Sequence, residues 1–294
     1  MQQEMTQQQH TNINWTTLIV LGIFHILAVV ALFHFSWTNL WVTMALWWIS
    51  GSLGVGIGYH RLLTHRGFKT SKPMEYILTF LGTLSLESGP IQWVSTHRMH
   101  HAFTEVEGKD PHTPRDGIFW SHLGWMLQGV SQSHDQATLQ RYVPDMLKDK
   151  FQVFMSKWYF MSNVLLGVIL FQFGGWPMVL WGVFLRVAAN LQFTWLVNSA
   201  THLWGTRRFT TRDDSTNNGL VALLTFGEGW HNNHHAHPRA ARHGVAWYEF
   251  DLNWYSIAVM RWLGLVRDVK FITPAQVAAA KQQSATPTAL REAA

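Results

Sequence analysis

The run Thr16–Phe35, TTLIVLGIFHILAVVALFHF, contains twenty residues and no charged side chain. About twenty apolar residues in a helix span the hydrocarbon core of a bilayer, and the helix satisfies its own backbone hydrogen bonds there. A second apolar run, Leu40–Gly58, follows after the short uncharged link Ser36–Asn39. The two runs predict a helical hairpin that crosses a membrane twice.

A second hairpin is predicted further along the chain. Tyr159–Phe173 and Met178–Val197 are both apolar, and Gly174-Gly175-Trp176-Pro177 separates them. Glycine and proline together interrupt helices and are typical of tight turns. The predicted fold class is therefore all-α, an integral membrane protein with four transmembrane helices arranged as two hairpins.

Composition favours the same class of protein. Charged residues make up 13% of the 294 residues, about half the usual share of a soluble domain, while Trp and Phe number 17 and 18. No basic stripe with interleaved aromatic residues is present, so a nucleic-acid partner is not expected. The chain has no cysteine, so a bound metal must be held by His, Asp or Glu.

Positive charge follows each hairpin and is absent from the two short links. The basic residues in these positions are Arg61, Arg66, Lys69, Lys72, Arg207, Arg208 and Arg212. By the positive-inside rule, the segments after the hairpins, both termini and the site they hold are predicted to be cytoplasmic. The apolar stretch Met74–Val94 is predicted to be a buried or interfacial helix, because a membrane crossing there would separate the histidines on either side of it.

The domain organisation follows from these segments. Residues 1–14 are polar and lack Lys and Arg, so they are expected to be a disordered tail and not a signal peptide. Residues 15–275 are predicted to form one membrane domain with a cytoplasmic helical cap. Residues 276–294 are rich in Ala and Gln and are predicted to be a C-terminal tail.

Two polar residues, Arg186 and Asn190, lie inside the fourth apolar run. One interpretation is snorkelling or interhelical hydrogen bonding. The other is that this helix lines a polar site at its inner end. The sequence leaves both interpretations open.

Nine histidines are clustered beside the predicted membrane helices, on the predicted cytoplasmic side. They are His60, His65, His97, His100, His101, His202, His231, His234 and His235. In the two His-x-x-His-His boxes, positions i, i+3 and i+4 share one helix face, so each box presents its imidazoles to one point or to two neighbouring points. His60 and His65 are five positions apart, about 140° around a regular helix, so they need not bind the same ion.

Nine neutral imidazoles are too many for one metal ion, because zinc, for example, takes four ligands. Two ions with five or six ligands each would use all nine. Imidazole suits Fe, Zn, Cu and Ni, so the ligands alone do not select the metal. Asn198, four positions before His202, is either a helix-packing amide or a group that reaches a metal through water. Candidate acceptors for imidazole N–H groups, or ordinary loop carboxylates, are Asp110, Asp116 and Glu228.

Other histidines are predicted to lie outside this ligand set. His25 and His34, in or near the first apolar run, are expected to be hydrogen-bonded helix residues. Surface positions or contacts behind the ligands are expected for His112, His122, His134, His237 and His243.

The histidine boxes resemble those of a known family. The matching segments are GYHRLLTHR (Gly58–Arg66), THRMHH (Thr96–His101), Asp110-Pro111-His112, NSATHLWG (Asn198–Gly205) and GEGWHNNHH (Gly227–His235). They are similar to membrane fatty-acid desaturases of the bacterial and cyanobacterial delta-9 type, which are related to animal stearoyl-CoA desaturases. The resemblance covers about residues 40–270.

The resemblance implies an oxygen-dependent enzyme with two iron ions that inserts a cis double bond at the delta-9 position of a saturated acyl chain. One iron would take His60, His97, His101 and His234, with Asn198 reached through water. The other would take His65, His100, His202, His231 and His235. Electrons would come from a separate donor such as a ferredoxin or a cytochrome.

The resemblance also implies a bent substrate tunnel. Trp93 and Thr194 match positions that form the bend, and Trp195 matches another substrate contact, although plain packing would also explain all three. Ser95 and Thr96 stand where the animal enzymes have an Arg-Asp pair that contacts CoA, and Glu87 stands where Gln is common. The acyl carrier therefore stays open between CoA, a glycerolipid and a carrier protein.

Two other functions fit part of the pattern. A related membrane hydroxylase would have similar histidine boxes. A metal transporter would place polar residues along the membrane helices, whereas here the histidine clusters lie at one face and the predicted spans are mostly apolar, which disfavours transport.

Overall fold

The computed structural model describes residues 12–130 and 134–285, and these ranges are mainly helical. The helices are α1 (Trp15–Leu32), α2 (Trp37–Thr64), α3 (Lys72–Thr83), α4 (Pro90–Phe103), α5 (Gln136–Tyr142), α6 (Pro144–Leu147), α7 (Lys150–Lys157), α8 (Met161–Val179), α9 (Arg186–Ser199), α10 (Gly219–Leu224), α11 (His231–Ala236), α12 (Leu252–Trp262) and α13 (Pro274–Ala285). Short helical turns occupy Pro114–Asp116, Trp120–Gly124, Trp125–Leu127, Leu180–Leu185 and Ala200–His202. Two short strands, β1 (Lys69–Thr70) and β2 (Val266–Arg267), pair antiparallel.

Three helical stretches of the described chain are long and apolar enough to cross a membrane: Trp15–Leu32, Trp37–Thr64 and Met161–His202. The last is interrupted at Gly175, whose φ of 61° and ψ of −159° lie outside the helical region. Beyond this break, Gly182 lies directly against Leu170 of α8. The chain therefore folds back on itself at the Gly174–Pro177 break that the sequence predicts.

The link between α1 and α2 is equally short. Ser36 caps α2, because its hydroxyl accepts a hydrogen bond from the Asn39 amide at 3.0 Å. Near this end of the bundle the indole of Trp181 donates to the Ala31 carbonyl at 2.7 Å. The two links therefore lie at the same end of the bundle.

The prediction of a single helix over Met74–Val94 is wrong. The chain leaves the helical conformation after α3 and begins α4 at Pro90. Leu86 and Ser88 have positive φ values of 60° and 91°. Proline lacks the amide hydrogen that would continue a helix and holds the preceding residue in extended conformation, and Gly89 has a ψ of 157°.

α3 packs closely on the second half of α2. A Cβ atom at Gly54 would lie 2.4 Å from the Gly82 amide nitrogen, and one at Gly58 would lie 2.9 Å from the Leu78 carbonyl oxygen. The missing side chains allow the two backbones to approach one another. This contact fixes the end of α2 that carries His60.

The two polar residues of the fourth apolar run have different partners. Arg186 is buried, and its guanidinium donates to Ser50 Oγ, Asn163 Oδ1 and the carbonyl oxygens of Gly182 and Leu84. It therefore links neighbouring helices. Asn190 instead donates to Glu87, at a cavity described below.

The predicted tails are only partly within the described residues. Residues 1–11 and 286–294 lie outside them. The predicted boundary at residue 276 falls inside helix α13, Pro274–Ala285. The small β1–β2 pair was not predicted; it lies beside a core that includes Ile57, Phe68 and Ile257.

Candidate metal centre

The nine predicted ligands come from four parts of the chain and meet in two adjacent groups. The end of α2, helix α4, the turn Ala200–His202 and helix α11 supply them. In each group the possible ligand atoms all lie within 4.8 Å of one another. The first group is His60, His65, His97, His101 and His234, and the second is His100, His202, His231 and His235.

Both His-x-x-His-His boxes divide between the two groups. In α4, His97 and His101 belong to the first group and His100 belongs to the second. In α11 the division is reversed, because only His234 joins the first group. Of the two arrangements that the spacing allows, the structure has the one in which each box faces two neighbouring points.

His65 lies in a different group from the one that the resemblance implies. It lies beside His60, with ring centroids 4.8 Å apart. The His65 amide donates to the His60 carbonyl at 3.1 Å, an i→i+5 bond, and the preceding turns of α2 from Trp48 to Thr64 are of the wide π type. Five residues therefore make about one turn, and the 140° separation of a regular helix does not apply.

Carboxylates hold the Nδ1 atoms of four of these imidazoles. Glu228 lies 2.7 Å from His60 Nδ1, and Glu105 lies 2.9 Å from His202 Nδ1. Asp110 and Asp213 lie 3.0 and 3.1 Å from the Nδ1 atoms of His100 and His235. Such contacts favour the tautomer with the proton on Nδ1, which leaves Nε2 as an electron-pair donor.

The Nε2 atoms point toward one another. His60 Nε2 lies 3.0 Å from His234 Nε2, and His202 Nε2 lies 3.1 Å from His231 Nε2. Among the nine predicted ligands, His65, His100 and His235 have a buried Nε2 atom without a hydrogen-bond partner in the described chain. Converging nitrogen lone pairs suit a cation at the centre of each group, so the residues present fit two metal ions.

Burial keeps six of the nine imidazoles neutral. Two effects lower their pKa values well below the ordinary value: removal from water is the larger, and neighbouring histidines are the smaller. The six are His65, His97, His101, His231, His234 and His235. A neutral imidazole is the form that ligates a metal. These six imidazoles are therefore in ligating form at neutral pH.

Glu228 connects the first group to a buried ion-pair network. Its Oε1 accepts from Arg61 Nε at 3.0 Å and from Asn253 Nδ2 at 2.6 Å. Arg61 also pairs with both oxygens of Asp251, at 2.9 and 3.1 Å. Burial opposes ionisation of Glu228, but the charge of Arg61 holds its pKa well below the ordinary value.

Two of the three predicted carboxylate acceptors contact ligand histidines. Asp110 and Glu228 do so, whereas Asp116 is exposed. Sequence reasoning missed Glu105 and Asp213. Glu105 follows His101 by four positions, but α4 ends at Phe103 and Glu105 has a φ of 59°, so helical spacing could not have placed it.

His112 and His243 lie behind the ligands and are buried. The His112 ring lies 4.4 Å from that of His100, and the His243 ring lies 4.5 Å from that of His234. Burial lowers the pKa of His112 to about 3. The sequence left two positions open for these histidines, at the surface or behind the ligands. Both of them lie behind the ligands.

Two narrow cavities of about 40 and 50 Å³ pass the first group of histidines. Trp93, His97, Thr194 and Asn198 line both of them. Trp195 lines only the first. All the residues predicted for the tunnel, and Asn198, therefore border these cavities.

Glu87 holds three side chains that line these cavities. Its Oε1 accepts from Asn190 Nδ2 at 2.8 Å and from Thr194 Oγ1 at 2.9 Å, and its Oε2 accepts from Trp93 Nε1 at 3.0 Å. Burial raises its pKa to about 7 despite these three donors. The positive φ values on either side of Glu87 are costly for non-glycine residues and are typical of functional sites.

Comparison with known proteins agrees with this geometry. The model of the fatty acid desaturase family matches residues 35–261. The sn-1 stearoyl-lipid 9-desaturase of Anabaena variabilis is 46% identical over 261 residues, which cover 88% of this chain and 94% of that protein. The sn-2 palmitoyl-lipid 9-desaturase of Nostoc sp. (strain 36) is 40% identical over 257 residues, covering 87% and 90%.

A plant relative has a different carrier in its name. The icosanoyl-CoA 5-desaturase of Limnanthes douglasii is 41% identical over 273 residues, which cover 92% of this chain and 76% of that protein. The family match and the identities, together with the nine converging histidines, lead to one assignment: the chain belongs to the fatty acid desaturase family.

Proposed function

We propose that this desaturase introduces a cis double bond at the delta-9 position of a saturated acyl chain carried by a membrane glycerolipid. The nine histidines would hold two iron ions, and dioxygen would be the co-substrate. The observation that carries the proposal is the convergence of nine histidines, most of them buried, in two groups beside two narrow cavities. The names of the two cyanobacterial relatives support the bond position and the carrier class.

The chemistry requires metal ions because the reacting C–H bonds are unactivated. Two reduced iron ions, when bound, would activate dioxygen for the removal of two hydrogen atoms from adjacent methylene groups. The protein contributes the ligands and their orientation. Glu228, Glu105, Asp110 and Asp213 hold the Nδ1 atoms, so that Nε2 faces the metal positions.

The cavity would select the carbon atoms that react. Trp93 and Thr194 line both of its narrow parts, and Glu87 holds both side chains by hydrogen bonds. A chain bent around these residues would present one C–C bond to the histidine groups and exclude water from it. Holding the reacting atoms in one geometry is a large part of catalytic rate enhancement.

The proposed topology has four membrane-spanning helices, α1, α2, α8 and α9, with the cap and both termini in the cytoplasm. The helix reversal at Gly175 and the capped link at Ser36 support two hairpins. Cytoplasmic placement rests on the basic residues that follow each hairpin. Electrons would come from a separate ferredoxin or cytochrome.

The lining of the cavities favours a lipid over CoA as the acyl carrier. Within the described part of the chain, no Lys or Arg lines the two narrow cavities. Phosphate groups are usually bound by such cations or by helix N-termini. Ser95 and Thr96 are both buried, and the Thr96 hydroxyl contacts the Gln92 carbonyl and His134.

Expression in a host that lacks unsaturated fatty acids tests the function. We expect monounsaturated chains in membrane glycerolipids, with the double bond between C9 and C10 when located by mass spectrometry. Hydroxylated chains would instead support a related hydroxylase. Saturated lipids only, in cells where the protein is produced with iron and a working electron donor, would contradict the proposal.

A further inference from the structure

A large apolar crevice lies on the membrane-facing side of the helix bundle, outside the metal centre. Its volume is about 920 Å³. Residues of α1, including Val20 and Phe24, form one wall, and residues of α8, including Val164 and Val168, form the other. Its floor is formed by Val183 and by other residues near and within α9. Its volume lies in the range of sites that bind drug-sized or lipid-sized ligands.

The crevice adjoins the narrow cavity that leads to the histidines. Ser88 and Met126 line both spaces. The second narrow cavity continues past Trp93 and Thr194 to His60 and His231. A continuous row of cavities therefore runs from the lipid-facing surface to the metal centre.

The polarity of the crevice changes along its length. Thr16, Thr17 and Tyr159 line the end where α1 and α8 begin, which is the end nearer the cap. Val164, Gly167 and Val168 line an apolar middle part, and Phe171, Gln172 and Trp176 line the far end. A ligand with a polar end near the cap and an apolar chain along the middle of the crevice would match this lining.

The junction holds a polar group without a protein partner. Ser88 is 3% exposed, and its hydroxyl has no hydrogen-bond partner in the described chain. A buried hydroxyl left unpaired is costly, so a ligand oxygen at this point would satisfy it. An ester oxygen would accept the hydrogen bond that the Ser88 hydroxyl donates.

We infer that the substrate is a diacyl glycerolipid that enters sideways from the bilayer between α1 and α8. The inference rests on the proposed acyl-desaturase function and names its route and substrate class. One acyl chain passes Ser88 into the bent cavity, and the second stays in the crevice. An acyl chain on CoA or on a carrier protein would leave this second apolar site without an occupant.

Gly167 offers a way to close the crevice without disturbing the fold. It lines the crevice, and a Cβ atom there would meet only Val183 Cγ2, at an ordinary distance of 3.9 Å. Gly22 of α1 is a matched control, because a Cβ atom there would meet nothing within 4 Å and the residue does not line the crevice. Gly167→Phe and Gly22→Phe add the same side chain to two membrane helices.

The test uses the full-length, iron-loaded protein in phosphatidylglycerol nanodiscs, supplied with dioxygen and with a reduced ferredoxin or cytochrome as the electron donor. A probe phosphatidylglycerol carries stearate at sn-1 and a photoreactive diazirine on its sn-2 chain. In the wild-type protein we expect the diazirine to label Val164 and Val168. In Gly167→Phe we expect about tenfold less labelling of these two residues and a similar loss of stearoyl desaturation. Labelling of Ile26, exposed on the other side of α1, should be unchanged in both variants.

Val164→Trp, with Ile26→Trp as its control, repeats the test at exposed positions if Gly167→Phe fails to fold. Unchanged crevice labelling and turnover in the crevice variants, or equal losses in the controls, would overturn the inference. Crevice labelling without any new double bond in the wild-type protein would overturn the proposed function instead. The two failures are therefore distinguishable.

Discussion

Glu87 shows how one side chain sets the shape of the site. Its carboxylate accepts three hydrogen bonds, one of which comes from the indole of Trp93. Replacement by Gln keeps the size but puts an amide N–H group against one of these donors. We therefore expect Glu87→Gln to loosen the bend of the cavity. Product analysis should show less turnover and double bonds spread to positions beside C9, and an unchanged product pattern would contradict the proposed role.

The same substitution makes a prediction about pH. Burial raises the pKa of Glu87 from 4.5 to about 7, so its contribution to stability is fully present below pH 4.5 and is lost as the pH rises through 7. The loss amounts to about 3 kcal/mol. Thermal unfolding of Glu87→Gln and wild type should therefore shift in favour of the variant between about pH 5 and pH 8. A difference that does not change with pH would refute the assignment.

Arg61 carries another prediction at this scale. Its side chain is buried and pairs with Asp251 and Glu228. Arg61→Met keeps most of the volume but leaves two buried carboxylates without their cation, which costs about 3–5 kcal/mol. The free energy of unfolding should fall by that amount. Arg66→Met, which removes a 61% exposed partner of Asp145, is the control and should cost less than about 1 kcal/mol.

At the scale of helices, the close contact between α2 and α3 positions His60. Gly54 has no room for a side chain, because a Cβ atom there would lie 2.4 Å from the Gly82 amide nitrogen and 2.5 Å from the Leu81 carbonyl carbon. Gly54→Leu should separate the helices, destabilise the fold by about 1–3 kcal/mol or more, and reduce metal binding. Gly22→Leu, in α1, is the matched control. Equal unfolding temperatures and metal contents for the two variants would contradict this role.

The helices also mark the limit of what could be read from the sequence. The four apolar runs and the break at Gly174–Pro177 were predictable from hydropathy and turn residues. The division of Met74–Val94 into two helices was missed because the hydrophobic run was given more weight than Pro90 and Gly89. The position of His65 was missed because the sequence does not reveal that α2 changes to wide π turns before it.

At the scale of the molecule, the metal centre joins segments that are far apart in the chain. The nine histidines were identifiable because their spacing repeats in boxes. The carboxylates behind them were harder to find, since Glu105 and Asp213 lie in irregular segments with no periodic signal. The crevice was not predictable from the sequence, because it depends on how α1 and α8 pack on α9.

Metal binding should therefore stabilise the whole fold. His231 and His234 have lowered pKa values, so they are neutral in the folded protein and protonated in the unfolded chain below about pH 6.5. Their contribution to stability is lost as the pH falls through this range. The melting temperature of the iron-loaded protein should fall between about pH 7 and pH 5, and a chelator at pH 7 should also lower it. A melting temperature unaffected by both treatments would exclude a structural role for the metal.

The most direct test of the account is the metal content of the purified protein, measured together with the X-ray absorption spectrum of the bound metal. We expect two iron ions per chain, a ligand shell dominated by imidazole nitrogen, and loss of iron from His231→Ala but not from His34→Ala. One metal ion per chain, a metal other than iron in active protein, or full iron content in His231→Ala would contradict it.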